Sequence, residues 1–176
     1  MGDEGHRRGL EAGKPWQIQI DVYLDDDSGP KPQFRVKSCL QSYQKDCGDT
    51  YVVFENNCRP GFEIIFQLHD LTGKGYTFPK DADDAVWSRV GNECPDEAWS
   101  KDKKYEESKV FTPVRVMQPD QLSLVVKNEN ERKADGEPIG EFKYTLNVGK
   151  DGAKPYLPLD PGGNDQNGLR SFTFNT

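Results

Sequence analysis

The chain has 176 residues, a length that suits one domain with a real apolar core, and 30 acidic against 23 basic residues give it a net charge of −7. That balance opposes nucleic-acid binding, because no Lys/Arg run interleaved with aromatics supplies a local basic face. No stretch of about eighteen apolar residues is present to cross a membrane.

Residues 1–14, MGDEGHRRGLEAGK, contain no apolar segment of the kind a secretory signal needs and read as a flexible leader. The expected compartment is therefore the cytoplasm. A secreted or periplasmic location is the alternative, if a signal was removed before residue 1. The first strand is predicted at Trp16 to Leu24, where Ile18, Ile20, Val22 and Leu24 alternate with Gln17, Gln19, Asp21 and Tyr23. DDDSGPKP breaks it. Phe34 to Lys37 and Tyr51 to Glu55 follow as short strands. Phe62 to His69 has the clearest period of two, with Phe62, Ile64, Phe66 and Leu68 on one side and Glu63, Ile65, Gln67 and His69 on the other. LTGKGYT then reads as a tight hairpin turn into a short strand at Tyr76 to Phe78.

Residues 80–109 carry little strand pattern and are expected to be a long irregular excursion. Asp81, Asp83 and Asp84 are placed to cap a short helix from Ala85 to Val90. Phe111 to Met117 is the next strand, and Pro113 marks it as an edge or a bulge. Leu122 to Lys127 and Glu141 to Val148 complete the set. A β-sandwich domain is expected over 15–161. A Gly/Asn-rich tail follows at 162–176, with SFTF the one candidate for a last strand. Short alternating strands and almost no helix predict an all-β antiparallel sandwich of seven to nine strands, immunoglobulin-like or cupredoxin-like. Clean alternation argues against a parallel sheet, whose strands are apolar on both faces.

Chemical constellations are sparse. A blue-copper centre needs two His and a Cys, commonly with Met; His69, Cys94 and Met117 leave one imidazole short outside the leader. Nucleophilic catalysis has only His69 as base, and Asp70 falls on the opposite side of an extended strand. Glu63 reads as a solvent-facing carboxylate. The calcium candidates are Asp81, Asp83 and Asp84, with helix capping the competing account, and Asp160, Asn164 and Asp165 in a Gly-rich loop, with turn chemistry the competing account. No cofactor is expected. Cys39, Cys47, Cys58 and Cys94 allow three disulfide pairings, and reduced thiols suit a chain without a signal. Trp87, Trp99, Tyr105 and Phe111 lie in or beside the polar excursion. They either present an aromatic binding face or fold back to plug the sandwich.

TGKGYTF, the strand EFKYTLNV and the later Asp160-Pro161 together resemble the small bacterial proteins of the DP-EP family, and more distantly the PixA/AidA inclusion-body proteins. The likeness covers roughly residues 16–161. GGNDQNG after Asp160-Pro161 and an expanded 80–109 depart from the pattern. The resemblance implies a compact β-sandwich and carries over no activity and no catalytic residue.

The expected function is that of a non-enzymatic protein that binds a partner or self-assembles, with a homodimer through an exposed edge such as Phe111–Met117 among the outcomes. The ligand is a protein or a carbohydrate. The rival is a carbohydrate-active enzyme or binding module using acidic residues with Trp87 and Trp99. For that reading Glu63, Asp70 or the 81–84 acids must gather in one cleft.

Overall fold

A computed structural model describes residues 17–44, 50–54, 62–90, 110–128 and 140–165. The protein is all-β. The described strands are β1 (Gln17–Asp26), β2 (Gln33–Ser38), β3 (Ser42–Gln44), β4 (Thr50–Phe54), β5 (Phe62–Asp70), β6 (Tyr76–Thr77), β7 (Val86–Val90), β8 (Phe111–Val116), β9 (Ser123–Asn128), β10 (Gly140–Lys150), β11 (Leu157–Leu159) and β12 (Gly162–Asp165). One helical turn, α1 (Ala82–Ala85), precedes β7.

The strands form two sheets. The first has the order β2-β1-β5-β9-β8, and the second runs β11-β10-β12-β4-β3. β10 is the spine of the second sheet. Phe142 and Leu146 each have register partners on both edges: Gly163 and Leu159 on one, Val90 and Val86 on the other. β6 also pairs with β10, at Gly149 and Lys150.

The period of two places the apolar rows of both sheets in one core. Ile20, Val22, Ile64, Phe66 and Val126 come from the first sheet, and Val52, Phe54, Phe142, Leu146 and Val148 from the second. Aromatic rings bridge the sheets. Phe66 packs on Tyr144 with centroids 5.5 Å apart, Phe54 on Phe62 at 5.7 Å, and Phe111 on Phe142 at 5.2 Å, edge to face. Such pairs add to the burial of their large apolar areas.

Five details differ from the sequence reading. Twelve strands are described instead of seven to nine. Most pairs are antiparallel, but β1–β5 and β12–β4 are parallel. These parallel strands still alternate in β1 and β5, because only one face of their sheet meets the core. The predicted helix over 85–90 is confined to Ala82–Ala85, with Asp81 as its cap accepting the Asp83 N–H at 3.0 Å; VWSRV, β-branched and aromatic, pairs with β10 instead. Residues 80–90 thus belong to the fold. The remainder of the expected excursion, 91–109, lies outside the described residues. The predicted hairpin at LTGKGYT is an arch: β5 is in the first sheet and β6 pairs with β10 in the second. Finally, Gly162–Asp165, assigned to the tail, forms β12 between β10 and β4.

Candidate binding face

Residues paired in register share a face, so the surface of the first sheet turned away from the core can be written as cross-strand rows. Arg35, Tyr23 and His69 form one row across β2, β1 and β5. Lys37, Asp21, Gln67 and Ser123 form the next. Gln19, Ile65, Val125 and Arg115 form a third, and Gln17, Glu63, Lys127 and Thr112 a fourth.

The first two rows are interlocked. The Tyr23 ring stacks on the His69 imidazole, centroids 4.4 Å apart and planes 11° from parallel. On its β2 side the Arg35 guanidinium carbon stands 4.8 Å from the ring centre, and the Lys37 ammonium 5.4 Å. The His69 Nε2 is 2.9 Å from Asp21 Oδ1. Arg35 donates twice to Asp25, at 2.7 and 2.9 Å, and this holds the Asp25 carboxyl below its usual range. The Ser123 hydroxyl donates to Gln67 at 2.6 Å. Polar side chains therefore fix one another in place without leaving the surface.

Charge on this face is sorted by depth. Arg35, Lys37, Arg115 and Lys127 are exposed. Asp21 is half-buried and Glu63 is buried, at 6% exposure. Glu63 does point away from the core, as the alternation requires, but it is not the solvated carboxylate expected, and its Oε2 has no hydrogen-bond partner among the described residues. Tyr23, Arg35 and Lys37 were not singled out by sequence. Alternation gave their side of each strand, but nothing local reveals that β1 pairs with β2 and β5 in this register.

Among the described residues, those that were singled out do not converge. Phe111 is fully buried among Phe54, Phe66, Phe142 and Tyr144, so it is a core residue and not part of a binding face. Trp87 is half-buried in β7, its indole N–H donating to the Asp83 carbonyl at 3.2 Å. Trp99 and Tyr105 lie outside the described residues. Asp160 is engaged within the second sheet: its carboxylate accepts the Thr145 hydroxyl at 2.6 Å and its carbonyl accepts Lys143 at 2.9 Å. Asn164 and Asp165 stand in β12 and not in a loop. Cys39 is a free thiol, so no disulfide includes it; Cys47, Cys58 and Cys94 lie outside the described residues. Among the described residues no three His, Cys, Asp or Glu side chains gather as a metal site. No described helix is long and apolar enough to cross a membrane.

Asp70 is committed to the arch. It accepts the N–H and hydroxyl of Thr72 at 2.9 and 2.6 Å, and the N–H groups of Gly75 and Tyr76 at 3.0 and 2.9 Å. Asp27, on the β1–β2 turn, accepts Lys74 at 2.6 Å and the Tyr76 hydroxyl at 2.5 Å. Glu63, Asp70 and Asp81 to Asp84 thus sit on three separate parts of the fold. An open cleft of about 350 Å³ lies between the start of α1 and β8, bordered by Lys80, Asp83, Val114 and Arg115. β8 is an edge strand with a bulge between Pro113 and Arg115, and Pro113 lacks the N–H that strand addition would use.

No protein-family model matches the chain, and no curated protein matches it at a significant level.

Proposed function

We propose that the protein is a non-enzymatic binding protein whose contact surface is the outer face of the five-stranded sheet, centred on Tyr23. The observation that carries this reading is the in-register row Arg35–Tyr23–His69. Tyr and Arg are the residue types that concentrate binding energy at interfaces, and here they are held upright by their neighbours before any partner arrives. Pre-organisation lowers the entropy lost on contact. The serine of the neighbouring row, Ser123, donates its hydroxyl to Gln67 at 2.6 Å, while the His69 Nε2 faces Asp21, which favours binding over nucleophilic chemistry.

Three partner types are separable by experiment. Sedimentation velocity over a concentration series reads out a second copy, a glycan array reads out carbohydrate, and quantitative affinity capture reads out another protein. Whichever complex forms should weaken at least tenfold in Tyr23→Ala, with the thermal midpoint little changed. A complex that survives Tyr23→Ala and Arg35→Ala at full affinity rules this face out.

A further inference from the structure

The margins of the two sheets differ in what they leave open, and β2 stands apart from the rest. β8 carries a bulge and Pro113, β11 is three residues long with Pro158 at its centre, and β3 is three residues long. β7 runs to the start of β8, where its Ser88 hydroxyl takes two backbone N–H groups. β2 instead offers five successive ladder positions, Phe34 to Ser38, with no proline and no register shift. Among the described residues, none of its backbone groups is bonded on the side away from β1. An edge of this kind is a template for one more strand. The core is also incomplete there: Phe34, Val36 and Leu40 pack against it yet are only partly buried.

We infer that the strand this edge takes is the chain's own C-terminal segment, Ser171 to Asn175, laid antiparallel beside β2. The inference concerns the sheet margin and does not rest on the face proposed above. The sequence of residues 166–176, which lie outside the described residues, supplies the match. Phe172 and Phe174 alternate with Ser171, Thr173 and Asn175. Set beside β2, the two rings cover the exposed halves of Phe34 and Val36, and the polar residues fall next to Arg35 and Lys37 without a like charge. A second copy of β2 fits worse. The symmetric antiparallel registers that keep both outer faces on one side and pair five residues set Arg35 against the copy's Arg35 or its Lys37. The reach is sufficient. Gln41, three residues after Ser38, accepts the N–H of Val53, and Asn164 is level with Val53, so β12 and β2 finish at the same end of the sandwich. Two strand spacings and one sheet separation lie between β12 and this margin, roughly 15 Å. The five residues 166–170 span about 17 Å when extended.

The test follows backbone amide exchange and cross-strand NOEs in the full isotope-labelled chain. Every second amide of β2, pointing away from β1, should exchange slowly, and NOEs should join β2 to residues 171–175. Phe172→Ser combined with Phe174→Ser should speed the exchange of those amides at least tenfold, with the amides of β1, β5 and β10 unchanged. Tyr23→Ala should leave this protection intact, so the edge and the outer face are tested apart. Edge amides that exchange as fast as those of an unstructured peptide overturn the inference. So does protection that survives the double substitution, which assigns the edge to a different segment or to another protein. Protection that fades on dilution, with a dimer in sedimentation velocity, assigns the edge to a second copy and overturns it as well.

Discussion

The Ser88 hydroxyl oxygen accepts the backbone N–H of Phe111 at 2.7 Å. It also accepts the N–H of Val110 at 3.1 Å. Ser88 is in β7 of the second sheet and Phe111 opens β8 of the first, so one hydroxyl ties the two layers where β8 begins. Ser88 is fully buried, and both N–H groups are buried with it. Ser88→Ala leaves two buried donors without an acceptor, and should cost roughly 2–4 kcal/mol in urea unfolding. Ser42→Ala, on an exposed position of β3, is the control and should stay within about 0.5 kcal/mol.

Gly152 is held by both backbone and space. Its φ is +71°, and a Cβ there would lie 2.6 Å from Gln121 Nε2 and 2.8 Å from the Phe78 carbonyl oxygen. Those two groups bond to each other at 2.7 Å, so the intruding carbon would part them. Gly152→Ala combines left-handed strain with overpacking and should cost roughly 2–4 kcal/mol. Gly73 has φ +74° and nothing within 4 Å, so Gly73→Ala should cost only the backbone share, about 1 kcal/mol. Equal losses at the two sites would show that crowding at Gly152 is relieved by movement.

The arch between the sheets titrates at both ends of the pH scale. Burial pushes the Asp70 carboxyl up, but hydrogen bonds from Thr72, Tyr76 and Gly75 outweigh it and leave it below its usual 3.8. A depressed carboxyl contributes stability above the unfolded value and loses it as pH falls through the folded one. Asp70→Asn should therefore lower stability at pH 7 and flatten the loss of stability below about pH 4. The Tyr76 hydroxyl, bonded to Asp27, buried, and facing the charges of Asp27 and Asp70, is pushed up from 10.0 to about 12. Its contribution is complete below pH 10 and is lost as pH rises toward 12. Tyr76→Phe should remove that alkaline dependence, measured by denaturant midpoints across pH.

Tyr144 makes the opposite case. Its ring is packed in the core, and its hydroxyl is buried with no hydrogen-bond partner among the described residues. Burial alone drives its acidity far down, so the phenol stays neutral throughout the accessible range. Tyr144→Phe removes an unmatched polar atom and keeps the ring contacts with Phe66 and Phe111. Stability should be unchanged or rise by up to about 1 kcal/mol. A loss above that would reveal a partner for the hydroxyl.

The strands that could be read from sequence are those that bury one face. β1, β5 and β10 each carry four inward apolar residues at a period of two, and the predicted spans match within a residue or two of the described ones. β8 was legible as an edge because Pro113 cannot donate to a second neighbour. β3, with SYQ, and β12, with GGND, were not legible. They have no apolar alternation and exist because β4 and β10 present backbone groups to them. β7 was misread because the acidic turn before it does cap a helix, one that ends after four residues. The face around Tyr23 was hidden for a different reason. Its parts come from β1, β2 and β5, and a parallel register between β1 and β5 leaves no mark on either segment alone.

β10 is bordered on both sides, yet it occupies residues 140–150. Two of its neighbours, β6 and β7, precede it in the chain, as does β4, which joins it only through β12. During synthesis on the ribosome those segments emerge with their central partner still untranslated. The first sheet, complete by Asn128, can pair earlier. Its apolar side then waits for a cover, and translation speed over residues 129–150 sets how long the nascent chain is open to chaperones or to misassembly.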